Sequence, residues 1–146
     1  MADVPPSSII RSLLAAEVGI IDANPANAWS AHLSQTPSTP DRVISIFDVG
    51  GINPNPAIQI DQVSVQVQVR GNANGYLAAY QKAQDIKDAL LGIDSLTLGT
   101  DRVVSITMLG DISFLGRDNN DRPELSVNFR MILERTPSSY SNRIPV

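Results

Sequence analysis

Alternation of apolar and polar positions is the clearest signal in the chain. From Gln62 to Arg70, Val63, Val65, Val67 and Val69 alternate with Gln62, Ser64, Gln66, Gln68 and Arg70, a period of two that predicts a strand with one dry and one polar face. Glu124 to Glu134 repeats the pattern, with Leu125, Val127, Phe129, Met131 and Leu133 on one side. At about 3.3 Å per residue this strand spans roughly 35 Å, long enough to cross a domain. Val43-Ile44-Ser45-Ile46-Phe47 is apolar on both faces, as expected of a strand inside a sheet, and Asp48-Val49-Gly50-Gly51 is expected to end it. Arg102 to Leu109 and Ile112 to Leu115 predict two more strands around Gly110-Asp111, where a bend, bulge or tight turn fits. Trp29 to Gln35 reads as a short strand of poor alternation, followed by an exposed loop over residues 36–41.

Two segments follow the helical period instead. Ile9, Ile10, Leu13, Leu14 and Val18 predict a helix over Ser7 to Val18, with Pro6 and Ser7 at its start and Gly19 at its end. Ile20 to Asn27, broken by Pro25, is read as a loop. Tyr76, Ala79, Ala83, Ile86 and Leu90 predict a second helix ending near Leu91, capped by Asn72 or Asn74. Together these elements predict an α+β fold, a mostly antiparallel sheet of about four to six strands packed against two helices. Residues 1–135 form the expected domain. Residues 136–146 have no periodicity and are expected to be a flexible tail, mobile or ordered by a partner.

The composition agrees with one core: 146 residues, 42% hydrophobic and 18% charged, a globular balance. With no cysteine, disulfides and thiolate metal sites are excluded. The start of the chain lacks the basic and apolar regions of a secretory signal, and no run reaches the length of a membrane helix, so a soluble protein made in the cytoplasm is expected. A formal charge of −4, without any basic run, argues against tight nucleic-acid binding, which depends on clustered cations.

Candidate chemistry is sparse. His32, the one histidine, stands beside Ser30 and Ser34, but no nucleophile-elbow pattern accompanies it. Asp118-Asn119-Asn120-Asp121 begins like a calcium loop; Arg122, Pro123 and Phe129 occupy positions that would have to supply ligands or a glycine. Gly71 and Gly75 lack the remaining residues of a phosphate loop. Asp48, Gly51 and Tyr76 are candidates for lining a ligand pocket. No enzyme, metal or cofactor is expected, because no convergent acid and base set exists.

Three segments in order carry a resemblance. Ile46-Phe47-Asp48-Val49-Gly50-Gly51 comes first. Val65-Gln66-Val67-Gln68-Val69-Arg70-Gly71 follows, leading to a tyrosine-bearing helix that ends Ile86-Lys87-Asp88-Ala89-Leu90. Last come Phe114-Leu115-Gly116-Arg117-Asp118 and Arg122-Pro123-Glu124-Leu125-Ser126-Val127-Asn128-Phe129-Arg130. In combination, over residues 7–135, the chain resembles the minor capsid or tail terminator family of long-tailed bacteriophages. The resemblance implies a structural virion protein, made in the bacterial host and placed at the junction of tail and neck. It implies a homo-oligomeric ring, usually of six copies, that caps the tail tube, meets the tail tube protein and the neck or head-completion protein, and stands near any sheath protein. DNA would pass through its lumen without tight binding, and no membrane is involved.

A closed ring needs heterologous contacts. The polar face of Gln62 to Arg70 (Gln66, Gln68, Arg70) and the long strand (Asn128, Arg130) are the candidates for the wall or the neighbour contact. The loops carrying Asp48 and Gly51, and Arg117, Asp118, Asp121 and Arg122, are the candidates for contacts with adjoining layers. Another neck or connector subunit, a tail-tube subunit and a small-ligand-binding module remain the alternative readings.

Overall fold

The computed structural model describes residues 4–17, 19–21 and 29–145. The expected 20–27 loop lies mostly outside these residues, as does Val18. The elements run α1 (Pro6–Ala16), β1 (Ser30–Leu33), β2 (Val43–Gly51), β3 (Ile60–Arg70), α2 (Tyr76–Leu90), β4 (Asp94–Leu98), β5 (Asp101–Met108), β6 (Ser113–Arg117) and β7 (Pro123–Glu134).

β3 and β7 form the spine of the sheet. They pair antiparallel without interruption from Ile60↔Glu134 to Arg70↔Glu124, so the two strongest alternations in the sequence coincide face to face. Val65, Val67, Val69, Val127, Phe129 and Met131 are all fully buried beneath the helices, joined by Ile44 and Ile46 of β2. The strand order is β1-β2-β3-β7-β5-β4, with β6 on β7 as well. The fold is α+β as expected, with a seven-stranded sheet that is antiparallel except where β1 runs parallel to β2.

Two expectations are corrected. β2 does not break at Asp48 but runs on to Gly51. The strand continues through a bulge between Asp48 and Gly51, where Gly51 lies so close to the Gln62 carbonyl that a Cβ there would overlap it. Neither Asn72 nor Asn74 caps α2: the N-cap is Gly75, with no side-chain cap. β4 had no expectation, because Asp94-Ser95-Leu96-Thr97-Leu98 is short and outward-facing. The bend at Gly110 separates β5 and β6, which lie end to end along the same edge of β7 instead of pairing with each other.

α1 is anchored from outside its own sequence. Its N-cap is Pro5, which offers no side-chain acceptor; the Asp48 carboxylate of β2 supplies one, accepting from Ser7 N–H at 2.8 Å and Ser7 Oγ at 2.7 Å. A negative charge at a helix N-terminus is favourable both to the orphan N–H groups and to the helix dipole. α2 also buries a charged residue on its apolar face, Lys82. Its ammonium donates to the carbonyls of Gly19 and Ile20 at 2.9 and 3.3 Å and lies 5.5 Å over the Trp29 ring.

The tail contacts its own chain around the start of β3. Arg143 reaches Asp61 at 2.7 Å, Ser141 Oγ donates to Gln59, and Ile144 forms a parallel bridge with Ile58. These contacts come from isolated polar groups, which leave no periodic trace in the sequence.

Phe129 is the largest fully buried side chain. Phe129→Ala is expected to lower the unfolding free energy by about 3–5 kcal/mol in chemical denaturation. Tyr140→Ala, at a position 92% exposed, should change it by less than about 0.5 kcal/mol.

Candidate functional site

Both helices cover one face of the sheet, leaving the opposite face without a covering layer among the described residues. Period-two alternation decides what that face carries. Gln66 pairs with Asn128, Gln68 with Ser126 and Ser64 with Arg130, while Thr107 of β5 flanks Arg130 from the other side. The Gln68 amide donates to Gln66 Oε1 at 3.1 Å. The result is a patch of neutral amides and hydroxyls holding one cation. Arg130 Nε is buried and has no hydrogen-bond partner, a costly state for a donor removed from water.

One end of this face is covered. The crossover between the parallel strands β1 and β2, residues 34–42, passes over it: Thr36 Oγ1 donates to Ser45 Oγ at 2.9 Å. Two arginines clamp the crossover. Arg70, 4% exposed, donates to the carbonyls of Asp41 and Pro40 at 3.0 and 2.7 Å; burial, then the nearby Arg122 guanidinium, lowers its pKa. Arg122, 5% exposed, donates to Ser38 O at 2.7 Å and contacts Asp41 Oδ1 at 3.2 Å.

The β6–β7 loop is organised by Asp118. Its Oδ1 accepts from Asn120 N–H and Arg122 N–H, both at 3.0 Å, and its Oδ2 accepts from Arg122 Nε at 2.8 Å. Asp121, with φ +62°, closes the turn, and its exposed carboxylate lies 3.8 Å from Arg117. These donors occupy the oxygens that a calcium-loop reading required. Among the described residues no group of three or more His, Asp or Glu is placed to hold a metal ion.

The eleven residues singled out in the sequence thus fall into three places. Gln66, Gln68, Asn128 and Arg130 share the open face. Arg117, Asp118, Asp121 and Arg122 form the loop at one end of the sheet, with Arg70 turned toward the same crossover. Asp48 and Gly51 lie at the β2 margin, where Asp48 caps α1. Tyr76 stands near β6, edge-to-face with Phe114 at 5.4 Å. Two strands, β3 and β7, separate the β2 and β6 columns, so Asp48, Gly51 and Tyr76 do not converge. His32 shares a 3.0 Å hydrogen bond with Ser30, an arrangement without an orienting acid.

A charged network at the opposite end of the sheet had no signal in the periodicity. Arg135 lies 3.6 Å from both Asp61 and Asp101 and donates to Val4 O at 3.0 Å. Arg102 makes a two-pronged pair with Glu134, which holds the Glu134 carboxyl below its ordinary pKa. Only the β3–β7 register reveals that Asp61 and Arg135 are neighbours.

The family described as bacteriophage tail terminator protein matches residues 18–135. The chain belongs to that family. Tail terminators are structural proteins of phage tails, not a class of enzyme. A chain from the virion of a native gene transfer agent particle shares the fold, with a TM-score of 0.65 at 18% identity, over 90% of this chain and 96% of that one. No curated protein matches. The chain is accordingly a tail structural protein, a component of a phage-like virion.

Burial would raise the Asp118 pKa, but the N–H groups of Arg122 and Asn120 and the Arg122 guanidinium outweigh it and hold the carboxyl below its ordinary value. Such a carboxyl contributes stability above its unfolded pKa of about 4, lost as pH falls through the folded value. The denaturation midpoint is expected to drop as the pH falls below about 4. Asp118→Asn should start lower and drop less over that window.

Proposed function

We propose that the chain closes into a ring of about six copies that ends the tail tube and joins it to the neck or head-completion proteins, with the open sheet face turned to the lumen. The observation that carries this reading is the open face itself, a broad sheet surface bearing Gln66, Gln68 and Asn128 with no helix over it among the described residues. Such a face is too polar to be a core and too poor in cations to hold phosphates. Six copies at −4 each carry about −24, a field that disfavours retention of DNA. Duplex DNA then slides past hydroxyls and amides, touching one arginine per copy.

The two ends of the ring meet different layers. The β6–β7 loop, made rigid by Asp118 and Arg122, and the extended loop after β2, residues 52–58, are the contacts for the tail tube protein on one side and the neck protein on the other. A sheath or sheath-associated protein, where the tail has one, would meet the helical outer surface. Both loops are exposed and set on a stiff sheet, a combination suited to recognition.

Size exclusion with light scattering, together with negative-stain images, tests the ring. A mass near six times 15.7 kDa with annular particles is expected, along with no retention of duplex DNA at physiological salt. Long tubes would move the assignment to a tube subunit, and tight DNA binding by the ring would contradict the lumen reading.

A further inference from the structure

The margins of the sheet are stepped in opposite senses. At the Pro123 end of β7 the strands run β1, β2, β3, β7, β6; at the Glu134 end they run β2, β3, β7, β5, β4. One margin overhangs by β1 at the first end, and the other overhangs by β4 at the second. Set side by side with the same face inward, two copies interlock: β1 of one comes beside β6 of the other, and β4 occupies the column below β1.

Strand direction and level agree with that fit. β1 and β2 run with β7, whereas β6 runs against it, so β6 meets the next copy's β1 antiparallel when the strands lie along the ring axis. Ser113 is level with Ser126. His32 is level with the same residue through Ser45 and Gln68. The two edges, unpaired among the described residues, therefore stand at one height, and both strands are short, four residues in β1 and five in β6.

Among the described residues the β6 edge also lacks protection. Exposed strand edges are ordinarily blunted by lysine, proline or a covering element, yet β6 carries Phe114 and Leu115, each half exposed. Leu96 of β4 on the same margin, and Val49 and Ile52 at the recess beneath β1, are exposed large apolar residues too.

We propose that β6 of one copy pairs with β1 of the next, a heterologous contact that carries the sheet around the ring. This inference rests on the ring reading above. It identifies the partner of the β6 edge as a second copy of this chain, because the complement of each margin is the other margin of the same sheet. Main-chain hydrogen bonds would supply the pairing, and burial of Phe114 and Leu115 would seal it.

The absence of cysteine makes the test clean. In the double variant Ser113→Cys, His32→Cys, treated at high concentration with a short bis-maleimide that tolerates a small slip in register, the expected product is a ladder of covalent multimers ending at the ring. Neither single variant should form one. A dimer from Ser113→Cys alone would mean that β6 pairs with β6, and would overturn the proposal. Rings in negative stain without cross-links would overturn it while leaving the ring reading intact; monomers throughout would overturn both. Leu115→Lys provides the second readout: a variant that melts like the parent but no longer forms rings supports the contact, and one that still forms them refutes it.

Discussion

The antiparallel ladder between β3 and β7 is the interaction on which the rest of the structure depends. Eleven consecutive residue pairs, Ile60↔Glu134 through Arg70↔Glu124, lock two period-two patterns in one register. A slip of one residue would carry Val65, Val67 and Val69 to the polar face and Gln66 and Gln68 into the core. Because both edges of β7 are occupied, by β3 on one side and by β5 and β6 on the other, β7 has no edge to offer a partner. What it offers is its face, and the outer strands are left to make contacts.

Much of this was legible in the sequence for a physical reason. Val63 to Val69 and Leu125 to Leu133 alternate because one side of the sheet faces helices and the other does not, and Ile9 to Leu14 repeat at helical spacing because one stripe of α1 meets β2. The uncovered face with Gln66, Gln68, Asn128 and Arg130 was legible from the same alternation. Elements held by individual hydrogen bonds were not. Lys82 shares the buried face of α2 but gives no apolar signal, and its burial follows from two carbonyls and the Trp29 ring, none of which is near it in sequence. Asp48 looked like the end of a strand, yet it is a bulge residue that caps a helix 41 positions away. Arg70 and Arg122 looked like surface cations, but each is turned into the crossover between β1 and β2, whose path local sequence does not encode.

The two ends of the sheet are built differently, and the difference bears on assembly. At one end Arg122 and Asp118 stiffen a hairpin loop and clamp the crossover. At the other, Asp61, Asp101, Arg135 and Arg143 tie β3, β5, the residues after β7 and the chain start together. Such pairs are weak evidence for net stability, because desolvation offsets the attraction; what they fix here is which segments meet. On the proposed reading, in which the loops at the two ends meet different layers, such definition would hold them at fixed heights.

The orientation of the sheet within the assembly tests the central claim most directly. An electron cryomicroscopy map of the purified ring, at a resolution that separates helices from sheet, is predicted to have the open face with Gln66 and Asn128 lining the lumen and α1 and α2 on the outside. A ring with α1 and α2 lining the lumen and the open face turned outward would contradict the account.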